Sequence, residues 1–262
     1  MEQQPIPISQ VQGCLTTTSP TSDDRQRQID SLLQALAETR PYNLRQNQLD
    51  DPTIYNLHAK LLVACANSIL SRHGKSFVID DDNKAILRFL LYYFNGSTLA
   101  LDMFPDADYR LDKNIMLVGS VGAGKTLLMD AFALYLQKTN NQRKFTAISQ
   151  TQLLNHYKQR NNIDYYTFNT ADSRSFEGRP FSLCLNDMGL RTQRFYGTDT
   201  EIVIEEFLYA RYEIWEQFGK WTHITTNLDK QEISSLFQDA HNRLADRFKM
   251  FNVIHLKGNS RR

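Results

Sequence analysis

The stretch Gly119-Ser120-Val121-Gly122-Ala123-Gly124-Lys125-Thr126 constrains this chain more than any other. It fits G-x-x-x-x-G-K-[ST], a loop whose backbone N–H groups converge on phosphate oxygens. Residues 114–118, Asn-Ile-Met-Leu-Val, read as a buried strand before it. Residues 126–136 after it are rich in helix formers and free of Gly and Pro. Strand, glycine loop and helix in that order is the setting the motif requires, and a chance glycine turn leaves both flanks unexplained. The glycines let the backbone curl, and a helix starting near Gly124 adds unpaired N–H groups and the positive end of its dipole. Lys125 is expected to reach the β- and γ-phosphates and Thr126 to bind Mg²⁺, with Leu127 closing the nucleotide-binding stretch. The expected ligand is a nucleoside triphosphate, ATP, with Mg²⁺.

Composition narrows the rest. A formal charge of +1 argues against a surface that is basic throughout, while leaving local contact with nucleic acid open. Cys14, Cys65 and Cys184 form no C-x-x-C pair, so neither a zinc site nor a disulfide framework is expected. No two histidines stand four apart. The longest apolar stretch, 85–94, contains Arg88 and is too short to span a bilayer. The start of the chain has no signal-peptide pattern, so the expected compartment is the cytoplasm and no membrane partner is expected.

Residues 1–24 are polar, carry Pro5, Pro7 and Pro20, and have too little apolar surface to fold alone. Residues 25–111 read as a small helical module. Ile29, Leu32, Leu33 and Leu36 recur at helical spacing before Pro41. Asp51-Pro52 reads as an N-cap followed by proline in the first turn of a helix ending before Gly74. A helix over 82–95 stops at Gly96. No catalytic constellation appears there, which points to a packing or partner-binding element. From 112 to 262, strands are expected at 114–118, 144–148, 181–185, 221–226 and 252–256. Helices are expected at 126–136, at 151–160, from a capping box at Thr198-Asp199-Thr200-Glu201 to 218, after Asp229, and at 241–248. This alternation predicts an α/β fold with a five-stranded parallel sheet, with polar strand ends converging on one edge.

Two strand ends carry chemistry. Asn186-Asp187 closes the third strand, where Walker B residues hold Mg²⁺ and orient water. Asn227 follows the fourth strand and reads equally well as a turn residue or as a contact for the γ-phosphate. Between Tyr157 and Phe168, Lys158, Arg160, Tyr165 and Tyr166 interleave charge with rings. That pattern suits single-stranded DNA, although packing of Tyr157 and Phe168 into the domain explains it slightly better. Arg243 and Arg247 are four apart and share a helix face, free either to project or to pair with Asp239 or Asp246.

In series, GSVGAGKT, LCLNDMG, Tyr209-Ala210-Arg211-Tyr212, ITTNLD, RLADRF and the terminal LKGNSRR resemble the AAA+ ATPases of the DnaC-type helicase-loader and IstB-type transposition-helper group. The resemblance covers about 112–262 and implies a P-loop AAA+ core. It implies Asp187 as the second Walker B acid, with Asn186 in place of the first at the Mg²⁺ site. It makes Asn227 sensor 1 and Arg247 the arginine finger, and matches Arg261 to the family's C-terminal arginine. A chain ending six residues after Leu256 leaves no room for a C-terminal helical lid, as in the loaders.

The implied function is an ATP-hydrolysing accessory of DNA replication or of a mobile element. It would assemble on single-stranded DNA as an open or closed ring and load or regulate a replicative helicase, or serve a transposase as IstB-type helpers do. Asn186 keeps slow hydrolysis, or an ATP-dependent binding switch, in view. A small-molecule phosphotransferase is disfavoured by the missing lid, and a GTPase by the absence of N-K-x-D.

Overall fold

The computed structural model describes residues 21–39, 49–170, 178–189, 194–195, 198–229, 231–233 and 247–258. Of the expectations above, those on most of the polar N-terminal stretch, Pro41, Asp239, Arg243, Asp246 and Arg261 lie outside these residues.

The chain divides into two compact units: Met1–Asp112 with Leu127–Lys144 and Leu256–Gly258, and Lys113–Thr126 with Phe145–His255 and Asn259–Arg262. The first unit is helical. Helix α1 (Ser22–Thr39) starts with Asp23 and Asp24 in its first turn, where acidic side chains favour the dipole. Helix α2 (Pro52–Leu70) is capped by Asp51, whose side chain accepts from the N–H of Thr53 and Ile54, with proline at the first helical position. Helix α3 (Lys84–Phe94) gives way at Gly96, where φ is +71°. A single turn, α4 (Leu99–Asp102), follows. The body of helix α5 (Lys125–Lys138) belongs to this unit, with the Phe132 ring 5.0 Å from Phe94 and His58 against Tyr135.

The second unit holds the sheet. Strands β1 (Asn114–Gly119), β2 (Thr146–Ser149), β3 (Leu183–Met188), β4 (Thr222–Thr226) and β5 (Phe251–Leu256) lie in the order β2-β3-β4-β1-β5. The ladders of β1 with β4, β3 with β4, and β2 with β3 are parallel. Helix α6 (Gln150–Arg160) follows β2 and is held by a capping box between Ser149 and Gln152. Helix α7 (Thr200–Phe218) precedes β4, and a two-residue antiparallel ladder pairs Arg194–Phe195 with Thr198–Asp199. Met116, Val118, Leu183, Leu185 and Ile224 line one face of the sheet and pack with Ile204, Phe207 and Leu208 of α7.

β1 and β3 flank β4, so three strand ends reach the same edge. The α/β architecture and the five-stranded sheet are those expected from sequence. β3 runs through Met188 rather than stopping at 185, which takes Asn186 and Asp187 into the strand itself.

Candidate nucleotide site

Gly119 closes β1, and α5 begins at Lys125. Between them Gly122 and Gly124 adopt φ of +85° and +96°, a region that a side chain at either position would strain. Lys125 is buried, and its Nζ donates to the carbonyls of Gly119 at 2.8 Å and Ser120 at 2.9 Å. The amine is thereby folded back onto the carbonyls of the glycine loop. Ala123 is buried, Val121 is exposed, and Leu127 is half-buried in the first turn of α5.

Thr126 and Asp187, sixty-one positions apart, meet here: the Thr126 hydroxyl donates to Asp187 Oδ1 at 3.1 Å. A hydroxyl and an exposed carboxylate, both hard oxygen donors, are a fitting pair for Mg²⁺. Among the described residues no three or more His, Cys, Asp or Glu side chains cluster as a metal site. A Mg²⁺ ion at this pair would take its remaining ligands from phosphate and water, the usual pattern for this ion. Asn186 points elsewhere. It is buried, and its Oδ1 accepts from Thr225 Oγ1 at 3.1 Å and faces Cys184 Sγ at 3.6 Å. Asn227 is exposed just beyond β4, at the strand end between those of β1 and β3. Among the described residues it is hydrogen-bonded to neither Thr126 nor Asp187.

Arg247 lies against its own chain. Its guanidinium carbon sits 4.3 Å from the ring centre of Tyr209 and 4.7 Å from that of Tyr212, both on α7. Its Nη1 is shielded from solvent and, among the described residues, has no hydrogen-bond partner.

The interleaved segment splits into exposed and packed residues. Tyr165 is 44% exposed and Arg160 is exposed, whereas Tyr166 packs against the apolar core and burial raises its phenol pKa. The rings of Tyr165, Tyr166 and His156 lie 4.9–5.7 Å apart, with Phe181 5.8 Å from Tyr165.

Sequence reasoning missed three polar anchors. Arg211 is wholly buried, which lowers its pKa to about 9, and it donates to Thr222 Oγ1 and to the carbonyls of Tyr166, Phe181 and Trp221. It joins α7 to the start of β4 and to the segments before β3. Thr226 donates to the Met188 carbonyl at 2.8 Å. Gln150 accepts from the N–H of Gly189 at 2.8 Å, just past β3. Arg211 and Thr226 stand in stretches that carry the resemblance, but nothing in the sequence marks either side chain as a buried anchor, and Gln150 stands in no motif.

No protein-family model matches the chain, and neither does any curated protein. Among solved structures, it is similar to a proposed primosome component from Streptococcus pyogenes serotype M3, with 17% identity over 70% of this chain and 84% of that one, at a TM-score of 0.43. It is similar to the DnaC helicase loader, with 19% identity over 68% of this chain and 92% of that one, at a TM-score of 0.39. It is also similar to DnaI, with 20% identity over 69% and 88% of the two chains, at a TM-score of 0.43.

Proposed function

We propose that this chain is a P-loop ATPase of the AAA+ kind that binds ATP with Mg²⁺ and acts as an accessory of DNA replication, in the manner of a helicase loader. The observation that carries this reading is the Thr126–Asp187 contact beside a preformed phosphate loop. The order of motifs along 112–262 supports the AAA+ assignment. In this reading Lys125 and the loop N–H groups bind the phosphates, Thr126 and Asp187 hold the Mg²⁺, and Asp187 also orients the attacking water. Asn227 contacts the γ-phosphate, and Arg247 is offered by a neighbouring copy. Here the Arg247 guanidinium rests against Tyr209 and Tyr212 with Nη1 shielded from solvent, so that role requires it to leave this place when a neighbouring copy docks.

The partners are single-stranded DNA, a second copy of this chain in a ring or spiral, and a replicative helicase. IstB-type service to a transposase would use the same core. For DNA, the candidates are the exposed ring of Tyr165 and the exposed cation Arg160, five positions before it in the chain. Stacking on such a ring contributes ~1–3 kcal/mol per base. The variant Tyr165→Ala should therefore weaken binding to oligo-dT, and unchanged affinity would remove this segment from the interface.

One observation favours a second reading, an ATP-dependent binding switch with little hydrolysis. Asn186 stands where the resemblance expects an acid, brings no charge, and has its amide oxygen engaged by Thr225. Measuring ATP turnover with and without single-stranded DNA separates the two. The ATPase reading expects turnover that DNA alters. ATP bound but not hydrolysed in either condition would favour the switch.

A further inference from the structure

Leu183 and Leu185 face the apolar core from β3. Strict strand alternation would put residue 187 on that same face, with a carboxylate among Met116, Val118 and Ile224. The chain avoids this by slipping register. Leu185 stands opposite Ile224 and Met188 opposite Thr226, so Asn186 and Asp187 together oppose Thr225 alone. This is a β-bulge. The extra residue reverses the phase, Met188 takes the core position, and Asp187 is released to the edge of the sheet. The cost is visible in the backbone, because Asp187 adopts φ of +58°, rare for a residue with a side chain.

One hydroxyl holds this arrangement. Thr225 Oγ1 accepts the N–H of Asp187 at 3.0 Å and donates to Asn186 Oδ1 at 3.1 Å. Thr225 is fully buried and Asn186 nearly so. The bulge takes the Asp187 N–H out of the ladder, and Thr225 supplies the acceptor that the ladder no longer provides. Asn186 in turn fixes the direction of the Thr225 proton, leaving an oxygen lone pair for Asp187. We propose that Thr225 is a positioning residue for the nucleotide site: its hydroxyl, oriented by Asn186, holds the bulge that aims the Asp187 carboxylate at Thr126. This rests on the reading that Asp187 serves that site. It also gives Asn186 a function that requires no contact with Mg²⁺.

The test compares Thr225→Val, Thr225→Ala and Thr225→Ser with Asp187→Asn in the full chain. Two quantities are read: ATP turnover, and the Mg²⁺ concentration giving half-maximal binding of a fluorescent ATP analogue. Thr225→Val keeps the side-chain shape and loses the hydroxyl, and Thr225→Ala covers the case in which valine fails to fold. Either is expected to raise the Mg²⁺ requirement and to lower turnover roughly 10- to 100-fold, the effect of a small misplacement of a reacting group. Thr225→Ser, which keeps the hydroxyl, is expected to restore most of both. Combined with Asp187→Asn, the loss of the hydroxyl should add little, because both changes disable one contact. Normal turnover and Mg²⁺ dependence in Thr225→Val and Thr225→Ala, with Asp187→Asn impaired, would overturn the role of Thr225 alone. So would effects that multiply in the double variants. An Asp187→Asn protein that is normal in both readouts would instead overturn the reading of Asp187, and the role of Thr225 with it.

Discussion

Asp187 is the carboxylate hydrogen-bonded to Thr126, and in the proposed mechanism it both holds the ion and orients water. Asp187→Asn keeps the shape and a hydrogen-bond acceptor and loses the charge. We expect it to leave ATP binding within a few-fold of the original and to lower turnover by roughly 10²- to 10⁴-fold, the range for a group assisting proton transfer. Steady-state turnover alongside titration of a fluorescent analogue measures both. Normal turnover would make Asp187 a turn residue. The acid was legible as a polar residue ending an apolar strand after a phosphate loop. The bulge that aims it was not, because it depends on Thr225, which lies thirty-eight positions further along. Nothing between them in sequence marks the register slip. The resemblance places Asn186 at the Mg²⁺ site in the position of the first Walker B acid, whereas its amide oxygen accepts from Thr225.

At the scale of elements, α2, α3 and α5 share a buried chain of hydrogen bonds. Asn141 donates to Asn95, Asn95 donates to the Tyr135 hydroxyl at 2.8 Å, and that hydroxyl meets His58 Nδ1 at 2.5 Å. A His58 ring with its proton on Nε2 would offer Nδ1 as an acceptor for the Tyr135 hydroxyl. Burial lowers the His58 pKa to about 4. The folded chain thus resists a proton that the unfolded chain takes up below about pH 6.5. Stability from this group is full above that pH, is lost as pH falls towards 4, and changes no further below it. The loss reaches at most ~3 kcal/mol, at about 1.36 kcal/mol per unit. Thermal melting at pH 7 and pH 4.5 should show a drop in Tm that is smaller in His58→Gln, and equal slopes would remove His58 as its cause. Helix caps were the readable part of this unit, and Asp51-Pro52 behaves as its residue types dictate. Ser149 and Gln152 form a capping box, a different cap that residue types three apart also spell out as S-x-x-Q. The meeting of His58 and Tyr135, seventy-seven positions apart, carries no local signal.

For the whole molecule, the proposal makes ATP turnover a property of two copies, with Arg247 of one completing the site of the next. The Lys125→Ala variant keeps Arg247, and the Arg247→Ala variant keeps its phosphate loop. Each alone should be inactive, and their mixture should recover part of the turnover. Arginine fingers contribute about 10³–10⁵ in rate, so recovery through even one kind of junction is measurable. An Arg247→Ala protein that is fully active alone, or a mixture that stays inactive while assembled, would return Arg247 to a purely structural place on Tyr209 and Tyr212. All of this presupposes that the glycine loop binds ATP, and equilibrium titration of a fluorescent ATP analogue in Mg²⁺ tests that most directly. The original chain is expected to bind saturably. The variant Lys125→Ala, with its fold verified by circular dichroism, should bind at least roughly 10- to 100-fold more weakly, from ~1.5–3 kcal/mol per hydrogen bond to a charged group. Equal affinity in the two proteins would contradict the account at its base.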